Sequence, residues 1–289
     1  MNKILLFAFA LGIGWACSPK TKSDSESSTA QSSEKKIITA GGTVSEIVDA
    51  LGFGNQIIAT DITSTYPASL QALPSIGYRN QIKAEGILAL GPDVILAEEG
   101  YLTEDVVTQL QGASIAIQFF KKPTQVDETK TLVTELAAYF DVAKKGNELI
   151  AQIDADLQAL KDYLATQSTT PTAAFVMARG PETVFLAGKK TFSESMFALA
   201  AIAPVRAEFE DFVPLTPESL VALNTDYLVL FDSGVKSLGG MEGLAKVQGI
   251  RETTAFQKGQ IISMDGHYLS AFGPRVGQAA LELAQAVRK

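Results

Sequence analysis

The chain offers few side chains for the common kinds of enzymatic chemistry. His267 is its only histidine, so a histidine-rich zinc site or a serine–histidine–aspartate triad is poorly supplied. Neither a P-loop nor a G-x-S-x-G motif occurs. The GFGNQI segment at residues 52–57 lacks the third glycine and the preceding strand of a dinucleotide-binding loop. These features favour a binding protein over an enzyme.

The only cysteine, Cys17, directly follows a short apolar segment. Residues 1–16 contain Lys3 and then an apolar run, which is typical of a secretory signal peptide and too short to span a bilayer permanently. We therefore predict a lipoprotein signal peptide over residues 1–16 and lipidation of Cys17. The alternative is a lone cysteine that carries no lipid, since Gly14 is unusual three positions before a lipidated cysteine.

Residues 17–35 are rich in Ser, Thr and Lys and poor in apolar side chains, which predicts a flexible tether. The net charge of the whole chain is −8, and no basic cluster is present to neutralise phosphates, so we expect no nucleic-acid partner. The expected location is the cell envelope, with a monomeric protein lipid-anchored on a periplasmic or extracytoplasmic face.

One segment occurs twice with the same order of features. Residues 84–100 (AEGILALGPDVILAEEG) and 217–234 (PESLVALNTDYLVLFDSG) each contain a glutamate, an apolar helical turn, an aspartate and a β-rich strand. A T-x-S-E sequence also occurs twice, at residues 43–46 and 191–194. The repeats predict two similar α/β lobes, although unrelated β-α units can resemble one another by chance.

Short β segments alternate with helices, which predicts parallel sheets. A helix is expected to start at Thr43 or Ser45 and to end at Leu51. Three-to-four apolar spacing predicts one long helix over residues 142–167, which would join an N-terminal lobe (36–141) to a C-terminal lobe (168–289). The alternative is a surface helix within one domain. The expected strands are Ile37–Ala40, Gln56–Thr60, Val94–Ala97, Ile115–Phe119, Ala174–Ala178, Tyr227–Phe231 and Ile261–Met264.

Five motifs carry a family resemblance. TSTYP (63–67), LPSIGY (73–78) and AEGIL (84–88) lie in the first half, and SLGGMEGL (237–244) and MDGHYLSAFGPR (264–275) lie in the second. Together they resemble the haem-binding proteins that serve bacterial ABC importers. The resemblance covers residue 35 to the end and implies an α/β fold of two Rossmann-like lobes joined by a single long α-helix. This class III substrate-binding protein fold is shared with the vitamin B12 and ferric-siderophore binding proteins.

The resemblance implies that the transported ligand is haem, bound in the cleft between the lobes, with Tyr66 of the STYP motif as the axial ligand to iron. The chemistry agrees, because a phenol becomes a good ligand only when a hard ferric ion stabilises its phenolate. Without the resemblance, Tyr66 would be taken as a residue that packs a loop ahead of Pro67.

Haem also brings two propionates and a wide apolar disc. Arginine guanidinium groups match carboxylates well, so the candidate propionate partners are Arg79, Arg179 and Arg275. The aromatic rings considered for the porphyrin faces are Tyr101, Tyr268 and Phe272, with lobe core as the alternative for each.

The chain departs from some relatives in two places. It has no histidine near residues 178–180, where certain two-haem proteins have one, so a stacked haem pair is not expected. Ala68 stands where some relatives have an arginine. His267 is considered as a second iron ligand from the C-terminal lobe, and the alternative is a solvent-facing residue in the turn after Asp265.

The resemblance further assigns Glu85 and Glu218 to docking on an ABC permease dimer. Each is predicted at a helix N-terminus, where a carboxylate is favoured by the helix dipole, and helix capping alone is the alternative. The sequence therefore predicts a lipid-anchored haem-binding protein of an ABC importer. Alternatives are a cobalamin or ferric-siderophore binding protein, a haem scavenger without a permease, and an enzyme that acts on haem.

Overall fold

The structure, a computed structural model, describes residues 34–204, 209–223 and 225–289. Residues 34–289 form one compact unit. Cys17, the predicted signal peptide and most of the predicted tether lie outside the described residues. Within the described ranges, no helix combines the length and the apolarity that crossing a membrane requires.

The first lobe is built on a parallel sheet with the strand order β2-β1-β3-β4. Parallel neighbours need crossover connections, which the helices of this lobe supply. The strands are β1 (Ile37–Ala40), β2 (Ile57–Thr60), β3 (Val94–Glu98) and β4 (Ala116–Phe120). The helices are α1 (Gly42–Val48), α2 (Ala84–Leu90), α3 (Glu104–Gly112) and α4 (Val126–Tyr139), with further short helical turns at Asp49–Phe53, Gly54–Gln56, Ala68–Ala72 and Arg79–Gln81.

A single long helix, α5 (Ala143–Ala165), follows the first lobe, where residues 142–167 were predicted. Ile153 and Leu160 are buried, and their seven-residue spacing puts them on one face of the helix. The helix packs on α4 of the first lobe and on α12 (Val276–Ala286), the last helix of the second.

The second lobe has a sheet with the order β10-β9-β5-β6-β8, and β7 pairs with the start of β5. β5, β7, β9 and β10 are parallel, whereas β6 and β8 are antiparallel additions. The strands are β5 (Thr172–Ala178), β6 (Val184–Ala187), β7 (Ala203–Pro204), β8 (Phe212–Pro214), β9 (Tyr227–Phe231) and β10 (Ile261–Met264). The remaining helices are α6 (Phe192–Leu199), α7 (Pro217–Leu223), α8 (Asp232–Ser237), α9 (Met241–Leu244), α10 (Thr254–Gln257) and α11 (Gly266–Ser270).

The predicted fold class is therefore confirmed, and each expected strand is present within two residues of its predicted bounds. The strands β6, β7 and β8 were not predicted. They have two to four residues each, and β7 and β8, with two and three, are too short to show an alternation that a sequence pattern can detect.

Alternate residues of β1 and of β5 face two different hydrophobic clusters, as the period of a pleated strand requires. In β1, Ile37 faces a cluster that runs through both lobes and contains Ile153, whereas Ile38 faces a cluster confined to the first lobe. In β5, Phe175 faces the shared cluster and Val176 a cluster confined to the second lobe. The two lobes therefore share one apolar core, to which α5 contributes.

The repeated helix–strand segment forms the same substructure in both lobes. Asp93 precedes β3 and accepts a hydrogen bond from the Lys36 N–H, just before β1, at 2.8 Å. Asp226 precedes β9 and accepts one from the Thr172 N–H, at the start of β5, also at 2.8 Å. The T-x-S-E pair is not equivalent in this way, because Thr43 lies inside α1 and Thr191 is the N-cap of α6.

Candidate functional site

The loop that carries Tyr66 begins with a buried carboxylate. Asp61 directly follows β2 and is 2 % exposed. Its Oδ1 accepts hydrogen bonds from the Gly41 N–H (2.9 Å) and the Ser64 hydroxyl (2.7 Å). Its Oδ2 accepts one from the Thr63 N–H (2.7 Å) and another from the Thr63 hydroxyl. Since ligands of open parallel sheets bind at the carboxyl ends of the strands, Asp61 fixes the loop at the edge where a ligand is expected.

A chain of hydroxyl groups ties the same loop to the first lobe. The Ser64 and Ser45 hydroxyls share a hydrogen bond of 2.7 Å, and Ser45 donates to the Thr39 hydroxyl oxygen, also at 2.7 Å. All three side chains are buried. Buried polar groups are costly unless they are hydrogen-bonded, so this arrangement allows the loop few alternative positions.

Tyr66 stands out from this fixed loop. The residue is 44 % exposed, which makes it one of the few large apolar or aromatic residues that the described surface exposes. Its hydroxyl has no hydrogen-bond partner among the described residues, unlike that of Tyr101, which donates to Asp61. A phenol without a hydrogen-bond partner on a partly exposed residue is a candidate metal ligand.

Tyr101 was considered for a porphyrin face, and the structure does not support that role. Its side chain is buried, donates to Asp61 and shares a hydrogen bond of 2.9 Å with the Thr63 hydroxyl. Burial, followed by the neighbouring Asp61 charge, raises the pKa of Tyr101, so the phenol stays protonated. Exposed Arg79 places its guanidinium carbon 5.1 Å from the Tyr101 ring centroid, next to the loop.

A second carboxylate lies between the lobes. Glu46, in the second turn of α1, is 4 % exposed. Its Oε1 accepts a hydrogen bond from Arg275 Nε at 2.7 Å, and its Oε2 accepts one from Arg275 Nη2 at 3.1 Å. His267 Nε2 lies 2.8 Å from the same Oε2. The two basic residues belong to the second lobe, so these contacts join α1 to α11 and to the loop after it.

The charge state of Glu46 follows from opposing effects on its pKa. Burial on its own raises the pKa of the carboxyl, and the hydrogen bonds and positive charges of His267 and Arg275 lower it. The net result is a pKa below the ordinary value, so Glu46 is ionised at neutral pH. An ionised carboxylate only accepts hydrogen bonds, so His267 carries a proton on Nε2.

Arg275, which is bound to Glu46, also contacts Tyr66. Its guanidinium carbon lies 3.5 Å from the centroid of the Tyr66 ring and 4.9 Å from that of Tyr268. Burial, followed by the charge of Glu282, raises the pKa of Tyr268 to about 12. Tyr66, Tyr268 and Arg275, which were selected from motifs in opposite halves of the chain, are therefore neighbours.

His267 does not face solvent as the alternative interpretation held. Its side chain is 6 % exposed, because α11 packs its ring against the start of α1. A Cβ atom added to Gly42 would lie 2.6 Å from His267 Nδ1, while Nε2 faces Glu46. Neither ring nitrogen is open to a metal, which argues against His267 as a second iron ligand in this arrangement.

Phe272 is a core residue rather than an exposed ring. It is 2 % exposed, its backbone φ is 51°, and its carbonyl accepts a hydrogen bond from the Thr129 hydroxyl of α4 at 2.7 Å. It lines a groove of about 380 Å³ between α4 and α6, together with residues that include Gln125 and Glu194. The predicted contact of Phe272 with a porphyrin is therefore not supported.

The other predicted site residues are exposed. Arg179 follows β5, and its side chain forms no ion pair within the described parts of the chain. Glu85 and Glu218 lie in the first turns of α2 and α7, where each was expected. No group of three or more histidine, cysteine or acidic side chains that could hold a metal ion occurs among the described residues.

Sequence reasoning missed the two buried carboxylates that organise the site. Asp61 had a detectable signal, because an acidic residue at the carboxyl end of a buried parallel strand lies at the ligand edge of a sheet. Glu46 had a weaker one: it interrupts an apolar stretch of α1 that contains Val44, Ile47 and Val48, all buried. A charged residue is almost never fully buried unless it is paired, so its partners had to be sought elsewhere in the chain.

A family model described as periplasmic binding protein matches residues 37–268. The uncharacterized ABC transporter substrate-binding lipoprotein YvrC of Bacillus subtilis is 25 % identical over 262 residues, which are 90 % of this chain and 82 % of that protein. The vitamin B12-binding protein of Yersinia pestis is 28 % identical over 170 residues, or 59 % of each chain. The expectation of a binding protein rather than an enzyme is confirmed by these relatives.

Solved structures of similar fold include haem-binding proteins. The periplasmic heme-binding protein RhuT from Roseiflexus sp. RS-1, in its apo form, superimposes with a TM-score of 0.84 and 31 % identity, over 88 % of this chain and 98 % of that one. The periplasmic heme-binding protein BhuT, in complex with two hemes, gives a TM-score of 0.82 and 29 % identity, over 88 % and 97 %.

Proposed function

Because the chain belongs to the periplasmic binding protein family, we propose that it is the substrate-binding component of an ABC importer whose ligand is ferric haem. The observation that carries this proposal is Tyr66, whose unpartnered phenol oxygen projects from a loop that buried hydrogen bonds fix in place. The similarity to two haem-binding proteins over nearly nine-tenths of the chain supports the same ligand.

The phenol of Tyr66 suits ferric iron in particular. A phenolate is a hard, charged donor, so it stabilises Fe(III) over Fe(II) and leaves the haem exchangeable for delivery. Ile62, on the same loop, is 56 % exposed, so its apolar side chain offers a surface for the porphyrin disc.

The propionates find basic partners in both lobes. Arg275 uses Nε and Nη2 on Glu46, which leaves its other N–H groups for a propionate. Arg79 of the first lobe and Arg179 of the second are exposed, and their guanidinium groups are also available to bind a propionate. A bidentate arginine–carboxylate contact would orient the haem as well as bind it.

Cobalamin is the second candidate ligand, because the Yersinia pestis vitamin B12-binding protein is also similar to this chain. A binding comparison with hemin, cyanocobalamin and a ferric hydroxamate siderophore separates the candidates. We expect one equivalent of hemin to bind with a shifted Soret band and the other two ligands to leave the protein unliganded. Saturable binding of cobalamin or of the siderophore, without saturable binding of hemin, would remove haem as the ligand.

We propose that delivery to the permease uses Glu85 and Glu218 as one docking residue on each lobe. Reversing both charges, as Glu85→Lys with Glu218→Lys, is expected to abolish haem uptake in cells without changing hemin affinity. Glu135→Lys, at an exposed position of α4, is the matched control and should support normal uptake. Unchanged uptake in the double variant would contradict the docking role and favour a scavenger that needs no permease.

Attachment to the membrane through a lipid on Cys17 is proposed from the sequence and from the similarity to a named lipoprotein. We expect wild-type protein to fractionate with membranes and a Cys17→Ala variant to be released. The mass of the mature N-terminus provides the direct readout, since lipidation adds acyl chains to that residue. Cys17 without added mass would contradict the anchor while leaving the ligand proposal unaffected.

A further inference from the structure

The Glu46 carboxylate is one of the few charged groups that are buried among the described residues. It is 4 % exposed and lies between the lobes, where it binds Arg275 through two nitrogens and His267 through one. Removing a carboxylate from water is costly in proteins, so an ion at this depth is tolerated only with such partners. The ligand proposal assigns it no role.

Further contacts close to Glu46 also cross the boundary between the lobes. The Thr43 hydroxyl of α1 donates to the Ala271 carbonyl at 3.0 Å, and Thr129 of α4 donates to the Phe272 carbonyl at 2.7 Å. A Cβ atom added to Gly273 would lie 3.2 Å from Glu46 Oε2, so the backbone itself approaches the carboxylate closely. The segment 271–275 of the second lobe is therefore bound directly to two helices of the first.

Arg275 ends this bound segment, and its orientation depends on the carboxylate. The Nε and Nη2 contacts with Glu46 hold the guanidinium plane in one position, and in that position its carbon lies 3.5 Å from the Tyr66 ring centroid. A bidentate arginine–carboxylate pair has one preferred geometry, whereas a lysine or a single hydrogen bond allows several. The position of the Arg275 guanidinium over the Tyr66 ring therefore depends on its contacts with Glu46.

We propose that Glu46 is a positioning residue that fastens the second lobe to the first and holds Arg275 against Tyr66. Its negative charge also compensates the positive charge of Arg275. Fastening the lobes is independent of the ligand, whereas the effect on Tyr66 rests on the proposed haem function. Compensation keeps an isolated positive charge away from an iron-bound phenolate. Without Glu46, that charge would favour the ferrous over the ferric state of the bound haem.

The fastening is tested without ligand by the distance between the lobes. Spin labels at Gln111→Cys and Lys236→Cys, both exposed and in different lobes, are placed in a chain that carries Cys17→Ser. We expect one narrow distance distribution, which Glu46→Gln broadens and lengthens. Glu194→Gln, at the matching T-x-S-E position but exposed, should leave it narrow. A distribution unchanged by Glu46→Gln would overturn the fastening, whatever the ligand proves to be.

Two further measurements cover the remaining outcomes. Arg275→Lys keeps the charge and loses the two-nitrogen contact, so it should broaden the distribution even if Glu46→Gln folds poorly. In hemin-loaded protein, Glu46→Gln should raise the reduction potential while tyrosinate ligation is retained, and Glu46→Asp should restore most of the wild-type value. An unchanged potential would refute the effect on Tyr66. Failure of wild-type protein to bind hemin would refute the haem proposal and leave the fastening result standing.

Discussion

Asp61 and Glu46 are both buried carboxylates, yet their partners give them different tasks. Asp61 is bound by residues of its own lobe and fixes the loop that carries Tyr66. Glu46 is bound by residues of the other lobe and is neutralised by arginine. One carboxylate therefore makes the site rigid, and the other makes it depend on how the lobes meet.

Replacing Glu46 by glutamine is expected to lower the free energy of unfolding by about 3 kcal/mol at pH 7, because removal of one partner leaves a largely buried guanidinium uncompensated. The measurement is urea denaturation of ligand-free protein. Glu194→Gln is the control and should change little, since the exposed Glu194 side chain accepts one hydrogen bond from the Lys190 N–H and glutamine can accept it too.

The pH dependence of that difference has a definite sign. The pKa of Glu46 is lower in the folded chain than its ordinary value of 4.5, so its contribution is fully present above pH 4.5 and is lost as pH falls through the folded pKa. The gap between wild type and Glu46→Gln should therefore close on acidification. A gap that widens below pH 4.5 would contradict the ion pair.

Sequence motifs located Tyr66, Tyr268 and Arg275 but not the acids that position them. The motif residues lie in segments with a recognisable resemblance, whereas a lone glutamate in a helix usually marks a solvated face. Glu46 and Arg275 are separated by 229 positions, and pairing over such a distance is visible only in the folded chain. The same holds for Tyr101, whose hydroxyl donates to Asp61, 40 positions earlier.

Among the elements, the repeated helix–strand unit was fully predictable, and its aspartates show why it recurs. Asp226 has a pKa below its ordinary value because the Thr172 N–H and hydroxyl donate to it. Asp93 receives the Lys36 N–H in the same way. Each carboxylate joins the starts of two adjacent parallel strands, which fixes their register.

Asp226→Ala is expected to destabilise the protein by about 1 to 2 kcal/mol, because it removes the acceptor of two hydrogen bonds from Thr172. Asp93→Ala should cost about 1 kcal/mol, since the exposed Asp93 accepts one hydrogen bond, from the Lys36 N–H at the corresponding strand start. Thermal unfolding measures both, with Glu135→Ala at an exposed position of α4 as the control. If only one of the two strand-start variants were destabilised, the structural equivalence of the repeat would be contradicted.

The contact between α1 and α11 leaves no room for a side chain at Gly42. A Cβ atom there would lie 2.6 Å from the His267 ring and 2.9 Å from the Thr63 carbonyl. Gly42→Ala should therefore destabilise the fold by about 1 to 3 kcal/mol, as overpacking usually does. Gly86→Ala in α2 is the matched control: its Cβ meets nothing within 4 Å, and alanine favours a helix, so it should be neutral or stabilising. Equal effects in the two variants would show that the lobes do not pack as described.

At the scale of the whole molecule, the internal repeat and the long helix predicted two lobes and their connection. The way the lobes meet could not be predicted, because contacts such as Thr43 with Ala271 join residues 228 positions apart. The hydrophobic cluster that the lobes share around α5 could not be predicted either. The sequence of a strand shows which residues alternate but not which residues pack on them. Interlobe geometry is the part of the site that required the structure.

The central claim is that the ligand is ferric haem, and the iron–oxygen bond to Tyr66 is its most direct test. Resonance Raman spectra of hemin-loaded wild-type protein should show tyrosinate ligation to high-spin ferric iron. Tyr66→Phe should lose these bands, and Tyr163→Phe, at a partly buried position of α5, should keep them. Tyrosinate bands that persist in Tyr66→Phe, or that are absent from hemin-loaded wild type, would contradict the account.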